Sequence, residues 1–255
     1  MIIDTNVHIG AWPFRRPPWF ETADIVKKLS SVGITEAWTG SFEGMLHKDL
    51  AGVNARLADE CQRFPKFLIP FGSVNPRLPD WEEDVRRCRE RHRMPGIRLH
   101  PNYHGYRLDD PAFARLLENA AERRLVVQIA VRMEDERTHH PLMQVPAVDL
   151  NPLPAVLARV PNVRLQILNA AFNPRDETPL VLARTGKVYF DFANVESVGG
   201  LAKMLQRIGP EHVVFGSHFP LFYPESALFK IRESAVKDDE LEAIQHRNAR
   251  ALLSG

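Results

Sequence analysis

The chain predicts an α/β protein folded as a single-domain (β/α)8 barrel, a TIM barrel covering residues 1–255. Three observations carry this expectation. Eight short runs rich in β-branched or aromatic residues alternate with amphipathic stretches of helical length, an order that gives a parallel sheet. No shift of composition marks a linker, and 255 residues is close to the roughly 250 of such barrels. The first run leads into Asn6-Val7-His8-Ile9-Gly10-Ala11-Trp12-Pro13, which lacks the G-x-G-x-x-G that an open doubly wound sheet shows at this point. Closing the strands into a ring removes both exposed edges.

The first strand is expected at Met1–Asn6, followed by a long connection, Gly10–Phe20, and a helix over Ala23–Val32 for which Thr22 is a start signal. Thr35–Thr39 makes the second strand, and Asp49–Phe64, with apolar positions three and four apart, the helix behind it. Phe67–Val74 pairs in the same way with Asp80–His92. Gly96–His100 pairs with Asp110–Arg123, whose Asp109-Asp110-Pro111 start suits a first helical turn. Leu125–Ala130 leads through a second long connection, Arg132–Asn151, to Pro152–Val160; Val163–Asn169 leads to Arg175–Arg184, and Lys187–Asn194 to Glu196–Arg207. Val213–Ser217 is read as the eighth strand, and Pro224–Val236 with Asp238–Leu253 ends the chain. Connections as long as the first and the fifth generally carry function.

Charge excludes some partners. The 33 Lys and Arg nearly cancel the 32 Asp and Glu, giving a net charge of +1, so no global field draws the chain to nucleic acid or to an anionic membrane. No apolar run approaches the roughly 18 residues of a membrane span, and Asp4 comes too early for a signal peptide, so a cytoplasmic location is expected. Cys61 and Cys88 lie in helical segments without C-x-x-C or zinc-type spacing and read as structural thiols.

In a barrel, the carboxyl ends of the strands line the active-site mouth. The residues standing there are Asn6 and His8, Arg98 and His100, Gln128, Ala130 and Arg132, Asn169, Asp191 and His218. A single strand-end histidine is more often a hydrogen-bonding residue than a ligand, and an arginine more often an ion-pair partner; convergence from several strands argues for a site. Arg98 and Arg132, with the three histidines, face essentially one carboxylate, Asp191, a balance suited to an anionic ligand. The competing reading pairs Arg98 with Asp191 or Glu196 as a structural ion pair. Trp12, Phe14, Trp19 and Phe20 in the first connection either wall the pocket or pack a lid, and His139 and His140 read as exposed loop residues.

Four segments in this order and spacing resemble the amidohydrolase-related metal-dependent hydrolases, the branch that includes decarboxylases and lactonases. They are Ile3-Asp4-Thr5-Asn6-Val7-His8; Gly96-Ile97-Arg98-Leu99-His100-Pro101 with Leu108-Asp109-Asp110-Pro111; Val214-Phe215-Gly216-Ser217-His218-Phe219-Pro220; and Asn248-Ala249-Arg250-Ala251-Leu252-Leu253. The resemblance implies a divalent metal, zinc, held by an H-x-H pair on strand one, histidines ending strands five and six, and an aspartate ending strand eight. Those positions are Asn6, His8, Ala130, Asn169 and His218 here. Only His8 is retained, so a metal resting on His8 and His218 is expected to be weak or absent.

The resemblance therefore implies a hydrolase acting on a small anionic or carbonyl compound, with non-oxidative decarboxylation as the sister reaction. His8, His218 and Asp191 are the expected catalytic groups, with Arg98, His100 and Arg132 holding substrate and Asn6 and Asn169 donating to a developing oxyanion. The rival class is a metal-free, non-catalytic barrel that binds a small molecule or a partner protein. The partner expected is a small anionic molecule, with neither nucleic acid nor membrane, and a homodimer is the expected assembly.

Overall fold

The structure, a computed structural model, describes residues 1–255 apart from Pro174, Gly186 and Gly255. Seven parallel strands form one sheet in chain order: β1 (Ile3–Ile9), β2 (Glu36–Ser41), β3 (Leu68–Ser73), β4 (Gly96–Leu99), β5 (Val126–Ala130), β6 (Arg164–Leu168) and β7 (Val188–Phe190). Each neighbouring pair is joined by helical segments, the arrangement a parallel sheet requires. The principal helices are α1 (Thr22–Ser31), α2 (Leu50–Gln62), α3 (Trp81–Glu90), α4 (Pro101–His104), α5 (Pro111–Glu122), α6 (Leu153–Leu157), α7 (Thr178–Arg184), α8 (Gly200–Ile208), α9 (Pro224–Glu233), α10 (Asp238–Glu242) and α11 (Asn248–Ser254). Asp110 caps α5 by accepting the backbone N–H of Ala112 at 2.9 Å, as its sequence suggests. Thr22, expected before the first helix, is instead its first residue, and Glu21 stands at the cap.

The eighth strand is a correction. Val213–Ser217 does not form a strand, yet it lies between the two ends of the sheet. Val213 bridges Phe190 of β7, Phe219 bridges Val7 of β1, and Thr5 of β1 donates its backbone N–H to the Phe215 carbonyl at 2.9 Å. The Val214 N–H reaches the Phe190 carbonyl of β7 at 2.9 Å, but the ladder stops there because the next donors are taken elsewhere. The Phe215 N–H goes to the Ile244 carbonyl at 2.8 Å and the Ser217 N–H to the Asp4 carboxylate at 3.0 Å. The closing helix expected over Asp238–Leu253 is likewise divided into α10, a π-helical turn at Ala243–Arg247, and α11.

The interior inside the curl of the sheet is layered. At one level Ile3, Trp38, Phe71, Val126 and Val214 pack with Ala249 and Leu252 of α11. A second layer is polar. Gln128 donates to Gln166 at 2.8 Å and to the Thr5 carbonyl at 2.9 Å, Gln166 donates to the Thr5 hydroxyl at 2.6 Å, and Arg98 donates to Gln128 at 2.8 Å. Side chains so far apart in sequence meet because β1, β4, β5 and β6 curve around a common interior. The third layer, at the carboxyl ends, is apolar: Trp12, Phe42, Met45, Ala130, Met133 and Leu221 form a cluster that Tyr103 and Phe222 join. Outside the sheet, a larger apolar core runs between strands and helices and takes in both cysteines.

Candidate active site

Asn6, His8, His100, Asn169, Asp191 and His218 meet between the polar layer and the apolar cover, and each is 0% exposed. Asp191 is the acceptor that joins Asn6 to Asn169. Its Oδ1 takes the backbone N–H groups of Asn169 at 3.1 Å and Ala193 at 3.2 Å, and its Oδ2 takes the Asn6 amide at 2.7 Å. Burial raises its pKa to about 6 against the pull of these hydrogen bonds. Gly216 makes this close approach feasible, because a Cβ there would sit 2.7 Å from the Asp191 Cβ and 3.1 Å from the Asn6 Cβ.

The two amides expected to serve an oxyanion have no N–H to spare. Asn6 gives its N–H groups to Asn169 Oδ1 and to Asp191, both at 2.7 Å; Asn169 gives its own to the Arg132 carbonyl at 3.0 Å and to His218 Nδ1 at 3.2 Å. His218 is fixed in turn. Its Nε2 donates to the Met133 carbonyl at 2.6 Å while Nδ1 accepts from Asn169, so both ring nitrogens are engaged and the ring is neutral. Burial holds its pKa down to about 4, with the Met133 carbonyl pulling the other way.

Arg98 departs furthest from its expected part. It is fully buried, and it donates to the carbonyls of Val7 at 2.7 Å, Trp38 at 3.0 Å and Thr5 at 3.3 Å as well as to Gln128. Its donors are spent on the backbone of β1 and β2 and on Gln128 rather than presented to an anion, and no carboxylate pairs with it, so the structural ion pair is absent among the described residues too. Burial brings its pKa down to about 9, with Asp191 and Asp4 acting against that. Arg132 is half-buried and reaches the cluster only through its backbone carbonyl.

His8 and His100 keep their chemistry. The His8 ring stacks on Phe42 at 4.9 Å and lies 5.8 Å from His218 and 6.2 Å from His100, centroid to centroid. His100 has no hydrogen-bond partner on either ring nitrogen although both are buried, a state that costs roughly 1–3 kcal/mol per group and calls for a functional explanation. Burial holds both imidazoles well below their ordinary pKa, helped in His8 by Arg98 and in His100 by His104. Sequence reasoning passed over Asp4, whose carboxylate binds Ser217 Oγ at 2.5 Å and whose pKa burial raises to about 7. It also passed over Gln166, although a polar residue amid Leu165 and Ile167 was a visible signal of an inward polar layer.

A parallel α/β sheet with its buried polar cluster at the strand ends defines the class. The amidohydrolase family profile matches residues 15–254, and the chain belongs to this family. Among curated proteins, no relative matches by sequence. Three solved structures share the fold. The 5-carboxyvanillate decarboxylase of Sphingomonas paucimobilis superposes with a TM-score of 0.79 at 14% identity over 99% of this chain and 98% of that one. The 2,6-dihydroxybenzoate decarboxylase of Rhizobium gives 0.77 at 12% identity over 99% and 98%. The 5-carboxyvanillate decarboxylase of Novosphingobium aromaticivorans, complexed with manganese and 4-hydroxy-3-methoxy-5-nitrobenzoic acid, gives 0.78 at 14% identity over 100% and 96%.

The donor set at the implied metal positions does not fit a divalent ion. Ala130 offers no donor and lies in the apolar cover. Asn6 turns its amide N–H groups into the cluster, and His218 has both nitrogens engaged. His8 has a guanidinium N–H within 3.3 Å of both ring nitrogens. Among the described residues no group of three or more His, Cys, Asp or Glu side chains has metal-binding geometry. No helix among them is long and apolar enough to cross a membrane.

Proposed function

We propose that the protein acts on a small aromatic carboxylate without a metal, by non-oxidative decarboxylation rather than by hydrolysis. The observation that carries this reading is the dryness of the strand-end cluster. His8, His100, Asp191 and their neighbours are 0% exposed beside Trp12, Phe42, Met45, Met133 and Leu221. A reaction whose nucleophile is water gains nothing from such surroundings. Loss of CO2 gains from them, since transfer of a carboxylate out of water raises its energy relative to a transition state of dispersed charge. The three fold neighbours are decarboxylases of aromatic carboxylates by name, which supports the same substrate class.

In this reading the connections after β1 and β5 part to admit substrate. An arriving carboxylate supplies the negative charge that raises the pKa of the neighbouring imidazoles, so His100 takes up a proton as the substrate binds. That proton passes to the ring carbon bearing the carboxylate. The carbon–carboxylate bond then breaks, its electron pair restores the aromatic ring, and CO2 leaves; His100 regains its proton from solvent. His8, placed between Phe42 and Arg98, positions the ring, and Asp191 holds Asn6 and Asn169 in register. The test is CO2 release from a panel of hydroxybenzoates by protein stripped with chelator. Activity that survives stripping and is lost in His100→Phe supports the reading; activity restored only by added metal overturns it.

One observation favours a second reading, a barrel that binds without reacting. The N–H donors of Arg98, Asn6 and Asn169 and both ring nitrogens of His218 are all engaged by one another or by neighbouring strands and loops. Saturable binding of hydroxybenzoates with no CO2 release would select it.

A further inference from the structure

Outside the buried cluster, the connections after β1 and β5, with Tyr103 of α4, enclose a cleft of about 270 Å³ lined by Phe14, Arg15, Tyr103, Glu134, His139 and His140. It adjoins the cover of the buried site. Phe14 packs edge-on against Trp12 at 5.2 Å, and Tyr103 packs on the cluster that includes Trp12 and Met133. Its size lies just below the roughly 300–1,000 Å³ of ordinary small-molecule pockets, which suits a single ring.

The cleft has more donors than acceptors. Arg15 gives only its Nε–H to Glu134, at 2.8 Å, so both Nη groups lack a protein acceptor among the described residues. His140 accepts the Leu142 backbone N–H through Nδ1 at 3.2 Å, and His139 accepts that of Val145 at 3.5 Å. A nitrogen that accepts carries no proton, so each ring presents an N–H at Nε2. The one carboxylate, Glu134, offsets one guanidinium charge and leaves these donors unused. Phe14 and Tyr103 supply flat apolar walls, and Met143 at the rim is half exposed.

We propose that this cleft is a binding site for a monocyclic aromatic carboxylate. Arg15 and the imidazole N–H groups of His139 and His140 hold the carboxylate, and the ring lies against Phe14 and Tyr103. The inference rests on the cleft alone and stands whether or not the buried cluster is catalytic.

The probe is benzoate titrated into the full-length protein by calorimetry and tryptophan fluorescence, with benzylamine as the cationic control. Saturable binding of benzoate and none of benzylamine is expected. Arg15→Met and His140→Leu, both at loop positions, should each weaken benzoate binding at least about tenfold, the effect of losing a charge-assisted or specific hydrogen bond, with thermal midpoints unchanged. Equal binding of benzylamine, wild-type affinity in both loop variants, or the absence of saturable benzoate binding would each overturn the assignment.

Discussion

The guanidinium of Arg98 lies over the ring of His8, with Nη1 3.0 Å from Nε2 and 3.3 Å from Nδ1. A group equally near both nitrogens cannot lie along either in-plane lone pair, so this is a contact with the ring face. It places a fixed positive charge beside the one imidazole that the family's ligand pattern retains. Two cations so close in a buried site repel strongly, and the arginine is anchored by carbonyls from β1 and β2.

Arg98→Met is therefore expected to act on stability before it acts on binding. It removes the donors that reach the carbonyls of Val7 and Trp38 and strands the Gln128 amide oxygen in the interior, while the Thr5 carbonyl keeps the Gln128 N–H, a cost of about 3 kcal/mol or more. Urea unfolding measures it; a loss below about 1 kcal/mol would mean that the polar layer rearranges around the gap.

Metal content follows from the same contact. Protein purified without a His tag should carry well under one zinc, iron or manganese per chain by elemental analysis, and chelator should leave its thermal midpoint unchanged. Stoichiometric metal resistant to chelator would show that other residues have rebuilt a site around His8.

Asp4 sets a pH dependence. Its folded pKa of about 7 lies above the ordinary carboxylate value, so the folded chain keeps a proton that the unfolded chain releases. The stability this group contributes is complete below the unfolded value and is lost as pH rises through about 7. The buried imidazoles act in the opposite sense, losing stability as pH falls below 6.5, but they are common to wild type and variant. Asp4→Asn fixes the neutral form, so its stability advantage should widen from pH 5 to pH 7 by at most about 1.4 kcal/mol per unit. A constant difference in urea midpoint across that range would refute the raised pKa.

His218 adopts φ 61°, a left-handed conformation that asparagine tolerates better than most side chains. His218→Asn should thus fold, with a loss of about 1–2 kcal/mol from the Met133 carbonyl left without its partner. Because both His218 nitrogens are engaged, any CO2 release should fall without vanishing. Complete loss in this variant, with His100→Phe active, would assign the proton transfer to His218 instead.

The order of strands and helices, the family, and the gathering of Asn6, His8, His100, Asn169, Asp191 and His218 were all legible in the sequence. Each depends on local periodicity or on the rule that strand ends line the mouth of a barrel. Three features were not legible. Arg98 reads identically whether it faces an anion or the barrel wall, and only the curvature of the sheet brings it to the carbonyls of β1 and β2, more than fifty residues away in sequence. Val213–Ser217 has the composition of a strand, but the Asp4 carboxylate and the Ile244 carbonyl capture the backbone donors of Ser217 and Phe215, and both are supplied by segments distant in the chain. Ala130 reads as a lost ligand; in the folded chain it is one wall of an apolar cover that also needs Trp12, Phe42 and Leu221. Periodicity records which side of an element is buried, whereas the partner that each buried donor meets is fixed only when distant segments pack together.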